Sequence, residues 1–210
     1  YRVGGVPSWW DDVTQHTGVE LSYLNFFDAD AAKPTVLGEV TVGSLPDMVT
    51  LSSDGTYAVV ANEGEPADDF STDPEGSIGV VSLPADKSAP AQSAVRIAGF
   101  ADFEAGGVKT LDPDVRVFGP DVAAPDQDGA PLASNRVSRN LEPEYVAVVG
   151  GTAYAALQEA NAIAEIDLAS ATVTDIWSLG FKDYGTQTLD ASDRDPRDAP
   201  TYNQKSYDGL

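Results

Sequence analysis

Six carboxylates crowd into one short segment, "NEGEPADDFSTDPEGS" at 62–77: Glu63, Glu65, Asp68, Asp69, Asp73 and Glu75. Carboxylates held this close together must take up protons, repel one another or bind a cation. Hard oxygen ligands favour calcium or magnesium over zinc, and flexible loops suit calcium best. The segment does not follow the regular EF-hand pattern, and "DQDG" at 126–129 matches only a small part of it. The segment predicts a calcium site, with magnesium as a second candidate and a solvated acidic loop as the alternative.

The overall charge narrows the choice of partners. The 210 residues include 34 acidic and 12 basic side chains, a formal net charge of −22. Such a surface repels phosphate backbones and anionic membranes, so a nucleic-acid partner is not expected. Solubility in a salty or extracellular medium is an alternative explanation of the acidity. Cysteine is absent, which excludes disulfides and thiolate sites, and no apolar run approaches the ~18 residues of a membrane span.

The elements that position these acids form an internal repeat. Short runs alternate apolar and polar residues, which predicts strands, and "LPDMVTLSSDGTYAVVANEG" (45–64) resembles "EPEYVAVVGGTAYAALQEAN" (142–161). The matched pairs are Pro46 with Pro143, Asp47 with Glu144, Val49 with Val146, Gly55 with Gly151, and Glu63 with Glu159. Two more strands follow each copy, so each repeat is a four-stranded meander, the size of one β-propeller blade. A β-sandwich would not predict this repeat. We therefore predict an all-β fold, a partial β-propeller.

The repeat also sets the expected organisation of the chain. We predict an N-terminal extension at 1–18 and a partial propeller at 19–210. The propeller divides into a half blade at 19–43, a blade at 44–98, a long crossing loop at 99–140, a second blade at 141–178 and a crossing loop at 179–210. This amounts to about two and a half blades, whereas propellers close with roughly four to eight. We expect the remaining blades to come from another chain or a missing segment, and the chain, which begins at Tyr1, to be a fragment.

Strand direction predicts where the acids collect. Neighbouring strands of a meander run in opposite directions, so alternate connections lie on the same face. Asp47 and Glu144 begin the innermost strands at one face, and Glu63 and Glu159 end the second strands there. The acidic segment and both long crossings lie on that face too. Long loops on a rigid scaffold usually carry function, so this face is the predicted binding face.

Several motifs in the same order resemble one protein family, the choice-of-anchor I family. They are the 45–66 stretch ending in "ANEGEP", "DVRVFGP" (114–120), "LEPEYVAV" (141–148), "LQEANAIAEIDL" (157–168), "LGFKDY" (179–184) and "LDASDRD" (189–195). This family of secreted or surface-anchored bacterial β-propellers is similar to mesenchyme-specific cell-surface glycoproteins and to some atypical alkaline phosphatases. The resemblance, over about residues 19 to 195, implies a seven-bladed propeller and an extracellular or cell-surface location. In some members it suggests a phytase-like, calcium-dependent phosphoesterase.

The resemblance and the acidic face together give the candidate site residues. The predicted metal ligands are Asp47, Glu63, Glu65, Asp68, Asp69, Glu142, Glu144, Glu159, Asp183, Asp190, Asp193 and Asp195. If the protein is catalytic, Lys182, Arg136 and Arg139 are candidates to contact a phosphate, while calcium polarises it and activates a water molecule. Ordinary salt bridging on an acidic surface is the alternative role for these three cations.

The histidine content of the chain argues against two other kinds of catalysis. His16 is the single histidine, so zinc-type phosphatase chemistry and a Ser-His-Asp triad are not expected. The leading hypothesis is an extracellular calcium-binding propeller with phosphomonoesterase activity on a phosphate ester. One alternative is a non-catalytic adhesion or surface-layer module, with a surface glycan as its ligand and calcium as a structural ion. Another is a structural repeat whose acidic surface serves solubility alone.

Overall fold

The computed structural model describes residues 2–4, 22–28, 31–33, 35–68, 72–117, 136–186, 189–190 and 204–205. Most of the predicted N-terminal extension lies outside these residues, as do three predicted ligands, Asp69, Asp193 and Asp195. Arg136 and Asp190 are described by their backbone. The chain divides into two compact units, residues 1–178 and 179–210, and each is treated by itself.

The first unit consists of three antiparallel sheets whose strands follow one another in chain order. The first sheet contains β1 (Arg2–Gly4), β2 (Tyr23–Asp28) and β3 (Thr35–Thr41). The first blade contains β4 (Pro46–Leu51), β5 (Tyr57–Asn62), β6 (Ser77–Ser82) and β7 (Val95–Ala98). The second blade contains β8 (Pro143–Val149), β9 (Thr152–Leu157), β10 (Ala162–Asp167) and β11 (Thr172–Ser178). The predicted all-β fold is confirmed, and its repeating unit is the four-stranded antiparallel blade of a β-propeller.

Short elements complete the two units. The helix α1 (Arg136–Asn140) precedes the second blade, and 3-10 turns lie at Gln92–Ala94 and Ala101–Phe103. The second unit contains a two-stranded antiparallel sheet of β12 (Leu189–Asp190) and β13 (Gln204–Lys205). A membrane-spanning helix is absent from the described residues.

The core fills the space between neighbouring sheets. Ile78, Val80 and Phe100 of the first blade and its following loop pack with the apolar face of the second blade. That face carries small residues such as Ala155 and Ala164, which let the bulkier side chains of the first blade approach closely. Fully burying a side chain the size of isoleucine or phenylalanine contributes about 1.5–3 kcal/mol. The two blades are therefore joined mainly by apolar packing.

The first blade is covered on both faces, which explains the burial of its middle strands. Leu24, Phe26 and Val40 of the first sheet, together with Val42 just after it, form a second core cluster with the opposite face of this blade. As a result β5 and β6 are buried along nearly their whole length, whereas β9 of the second blade alternates between buried and half-buried residues. The blades have the same topology but different environments.

Polar contacts at the outer strands also tie the blades together. The guanidinium of Arg96 in β7 donates to the backbone oxygens of Ala169 and Leu168, at 2.6 and 2.9 Å. The same guanidinium lies 6.0 Å from the centre of the Tyr57 ring. Lys109, in the loop after the first blade, donates to the backbone oxygen of Val173. These contacts fix the blades relative to each other, and hence fix the loops at their ends.

Candidate functional site

Asp47 and Glu144 each occupy a β-bulge at the start of an innermost strand. Pairing between β4 and β5 steps from Pro46 to Met48 and leaves out Asp47, and pairing between β8 and β9 leaves out Glu144 in the same way. A bulge bends the strand and re-aims the side chain of the unpaired residue. The repeat seen in the sequence therefore extends to the β-bulge, and each blade places an acidic residue at this bend.

Carboxylates of both blades converge at this end of the blades and form a cluster that we call the acidic rim: Asp47, Glu63, Glu65, Glu142, Glu144 and Glu159. Glu63 directly follows β5, Glu159 follows β9, and Glu142 precedes β8. Burial raises the pKa of Glu63 to about 7, and repulsion from Glu65, Asp47, Glu144 and Glu159 adds to this effect. Electrostatic coupling between acids almost a hundred positions apart in the sequence shows that the two repeats bring their carboxylates together.

Glu142 is the most strongly perturbed member of the rim. Its side chain is 9% exposed, and burial raises its pKa to about 8, with further repulsion from Glu159, Glu63, Glu65 and Asp73. Burial likewise raises the pKa of Glu144, with Glu159 as the strongest neighbouring charge. Without a compensating positive charge, Glu63 and Glu142 hold protons at pH values where glutamates are normally ionised.

Gln158 orders two rim carboxylates. Its Nε2 donates to Glu144 Oε1 at 3.3 Å and lies 3.5 Å from Glu159 Oε1. The other carboxylate oxygen of Glu159, Oε2, is buried and has no hydrogen-bond partner among the described residues. A buried acceptor without a donor is costly, so this oxygen is a place where a cation would be stabilised.

Asp73, near the C-terminal end of the acidic segment, is buried, with 3% of its surface exposed. Burial raises its pKa, and the charge of Arg139 opposes that rise. Its Oδ1 has no hydrogen-bond partner within the described ranges. The burial depends on α1, because Gly76 donates its backbone N–H to Ser138 at 3.0 Å and brings the segment against the helix. Asp73 is not among the predicted ligands, since nothing local in the sequence marks its burial.

The carboxylate of Glu104 anchors the first turn of α1. Glu104 accepts hydrogen bonds from the backbone N–H groups of Val137 at 3.2 Å and Ser138 at 2.7 Å. A carboxylate in this position satisfies N–H groups that a helix leaves unpaired at its start. The region predicted as a long crossing loop at 99–140 thus contains a short helix, capped by Glu104, that contacts the acidic segment.

The rim offers the oxygen ligands that a hard cation prefers, but its described side chains do not converge on a common point. Its candidate ligands are all oxygens, and one of its buried acceptors, Glu159 Oε2, is unsatisfied, as is Oδ1 of Asp73 in the adjoining acidic segment. Calcium prefers such oxygen ligands. In the described part of the chain, no group of three or more His, Asp or Glu side chains is arranged so that it could hold a metal ion. Binding would therefore require the glutamate side chains to rotate toward a common point.

The other predicted site residues lie in different settings. Asp68 is exposed at the end of the described part of the acidic segment, and Arg139 is buried with its charge near Asp73. In the second unit, Lys182 Nζ lies 5.0 Å from the centre of the Tyr184 ring. Asp183 is occupied in a local turn, where it accepts from the N–H of Gly185 at 2.9 Å. Asp190 lies in β12.

Comparison with known proteins establishes the family. The choice-of-anchor I domain model matches residues 12–208, so the chain belongs to this family, and the resemblance seen in the motifs is confirmed. Membership indicates a surface-associated protein. No curated protein sequence matches the chain.

Two solved structures resemble the chain remotely. One is a Bacteroides fragilis protein named as a candidate 6-phosphogluconolactonase, with 13% identity and a TM-score of 0.40 over 81% of this chain and 34% of that protein. The other is the periplasmic gluconolactonase of Pseudomonas aeruginosa, with 20% identity and a TM-score of 0.32 over 79% of this chain and 51% of that protein. This chain spans only part of their length, and similarities this distant carry no inference about activity.

Proposed function

We propose that this chain is part of a surface-associated β-propeller that binds calcium at the acidic rim, and that the bound ion holds the two blades together. The observation that supports the proposal is the convergence of carboxylates from both blades at one end, where burial and mutual repulsion raise the pKa of Glu63 to about 7 and of Glu142 to about 8. Magnesium is the second candidate ion.

A divalent cation would offset this repulsion only when both blades are in place. Glu63 belongs to the first blade, whereas Glu142, Glu144 and Glu159 belong to the second. An ion that contacts both groups binds the folded state and not the unfolded chain, so it stabilises the fold by mass action. At a calcium concentration one hundred times the dissociation constant, the gain is about 2.7 kcal/mol. This corresponds to a rise in Tm of roughly 5–10 °C for a chain of this size.

Calorimetric titration and thermal unfolding test the proposal directly. The wild-type protein, freed of metal with EDTA, should show heat on calcium addition and a rise in Tm, and magnesium should have a smaller effect. Glu159→Gln removes a carboxylate with an orphan oxygen and should abolish most of the calcium-dependent rise. Glu39→Gln, at an exposed position of β3, is the matched control and should respond like the wild type. Absence of both heat and stabilisation in the wild type would remove the proposal.

Phosphomonoesterase activity is a further proposal that the family resemblance suggests. It requires positive groups to contact the phosphate, and Lys182, Arg136 and Arg139 are the candidates. Arg139 is buried, and its charge interacts with Asp73. It is therefore not placed to contact a phosphate, and cation binding is the function we propose in preference to catalysis. Calcium-dependent turnover of an aryl phosphate, lost in Glu63→Gln, would establish the esterase. No turnover together with retained calcium-dependent stability would favour an adhesion or surface-layer module that binds a ligand such as a surface glycan.

We also propose that the remaining blades, the predicted partner, cover the exposed side of the second blade. Tyr145 and Val149 of β8 are 59% and 69% exposed, on the opposite side of the strand from buried Val146. Apolar side chains on a sheet face are stabilised when another sheet covers them. Light scattering of the isolated chain and of a longer form tests this, because a chain that remains monomeric and stable alone has no need of a covering blade.

A further inference from the structure

Met48, the single methionine of the chain, joins the innermost strands of the two blades. Its sulfur accepts a hydrogen bond from the backbone N–H of Val146 at 3.3 Å, between β4 and β8. The side chain is half-buried and packs against the apolar core that the blades share. An innermost strand has no further strand of its own sheet at its free edge. The thioether therefore provides an acceptor there that a leucine of similar size could not provide.

The sulfur combines chemical reactivity with a position between the blades. Thioethers are oxidised to sulfoxides, which turns a flexible apolar side chain into a polar one and disrupts packed contacts. Met48 is half-buried rather than enclosed, so a small oxidant can reach it. The chain contains no cysteine that would compete for the oxidant. These features single out one oxidisable sulfur at one inter-blade contact.

We propose that Met48 is an oxidation site at which a peroxide-class oxidant weakens the contact between the two blades. The sulfur attacks the peroxide, an S–O bond forms and the O–O bond breaks. Sulfur loses two electrons, and hydrogen peroxide is reduced to water. The sulfur lone pair that accepted the Val146 N–H is disturbed, and a polar oxygen enters the core next to Ala61, the β5 partner of Met48. Methionine sulfoxide reductases reverse this chemistry, so the change can act as a switch.

The experiment treats the full chain with hydrogen peroxide in EDTA, so that its outcome does not depend on the cation site. Mass spectrometry should locate one added oxygen at Met48, and Tm should fall by roughly 2–4 °C, the shift expected for loss of one partly buried hydrogen bond in a chain of this size. Met48→Leu, which keeps the volume without the sulfur, should show no peroxide-dependent shift. Treatment of the oxidised wild type with methionine sulfoxide reductases should restore the original Tm, which provides a test even if the leucine variant does not fold.

Two results with the wild-type protein would overturn the inference. One is sulfoxide formation at Met48 with an unchanged Tm, which would mean that the sulfoxide oxygen replaces the sulfur as acceptor without loss. The other is failure of the folded protein to react under conditions that oxidise the urea-unfolded chain, which would mean that the sulfur is not accessible. An equal fall in Tm in Met48→Leu would also contradict it, because the effect would then arise elsewhere.

Discussion

Replacing Glu142 by glutamine should stabilise the metal-free protein at alkaline pH. Burial and neighbouring carboxylates raise the pKa of Glu142 from 4.5 to about 8. A carboxyl group with a raised pKa in the folded state stabilises the fold while it is protonated. This contribution is complete below the unfolded pKa, near 4.5, and is lost as the pH rises through about 8. Glutamine resembles the protonated acid but cannot ionise, so the variant should retain the stability that the wild type loses.

The size of the effect follows from the shift. At about 1.4 kcal/mol per pH unit, a rise from 4.5 to about 8 corresponds to on the order of 4–5 kcal/mol. Water still reaches part of the carboxyl group, and solvent screening reduces this figure by about half, to roughly 2 kcal/mol. For a chain of this length, that free energy corresponds to a difference in Tm of roughly 4–8 °C.

Differential scanning calorimetry in EDTA at pH 4.5 and pH 9 measures this difference, because the two values span the interval between the unfolded and folded pKa of Glu142. The wild type should lose more stability between the two values than Glu142→Gln does, and Glu39→Gln should follow the wild type. The comparison cancels the general repulsion caused by the net charge of −22, because all three proteins share nearly all of it. Equal losses in the wild type and in Glu142→Gln would refute the inference that burial and neighbouring carboxylates raise the pKa of Glu142.

Three further substitutions test contacts within and between the blades and at the start of α1. Arg96→Met removes two hydrogen bonds to backbone oxygens of the second blade and should cost about 1–3 kcal/mol in urea unfolding, with an unchanged urea dependence. Glu104→Ala leaves two N–H groups of α1 without their carboxylate and should cost about 1 kcal/mol in the same assay. Hydrogen bonds from Ser52 and Thr56 lower the pKa of Asp54 to about 2, so the wild type should lose stability as the pH falls from about 4 through about 2. Asp54→Asn should lack that loss in an acid titration followed by circular dichroism, and an identical acid profile would contradict it.

The strands and their repeat could be predicted from the sequence because their signals are local. Alternation of apolar and polar residues has a period of two in any half-buried strand. The matched pairs Asp47 with Glu144 and Glu63 with Glu159 reveal the repeat, and the alternating direction of strands then requires these acids to lie at one end. Even β5 could be identified, although it is buried on both sides, because Gly55 and the acidic segment bound it.

The supporting elements of the rim could not be predicted in this way. Helix α1 has five residues, too few for a helical period to appear. Asp73 resembles its exposed acidic neighbours in the sequence, and its burial arises only where Gly76 meets Ser138 across more than sixty positions. The capping role of Glu104 likewise requires two segments that are distant along the chain.

The sequence by itself determined that the acids flanking the repeated strands share one end of the blades, because strand parity is a local property of a meander. Only the tertiary structure decided how strongly those acids repel one another, since burial and charge separation depend on how the two blades pack. The same holds for Met48, whose sulfur acquires its role from a strand that lies 98 positions further along the chain.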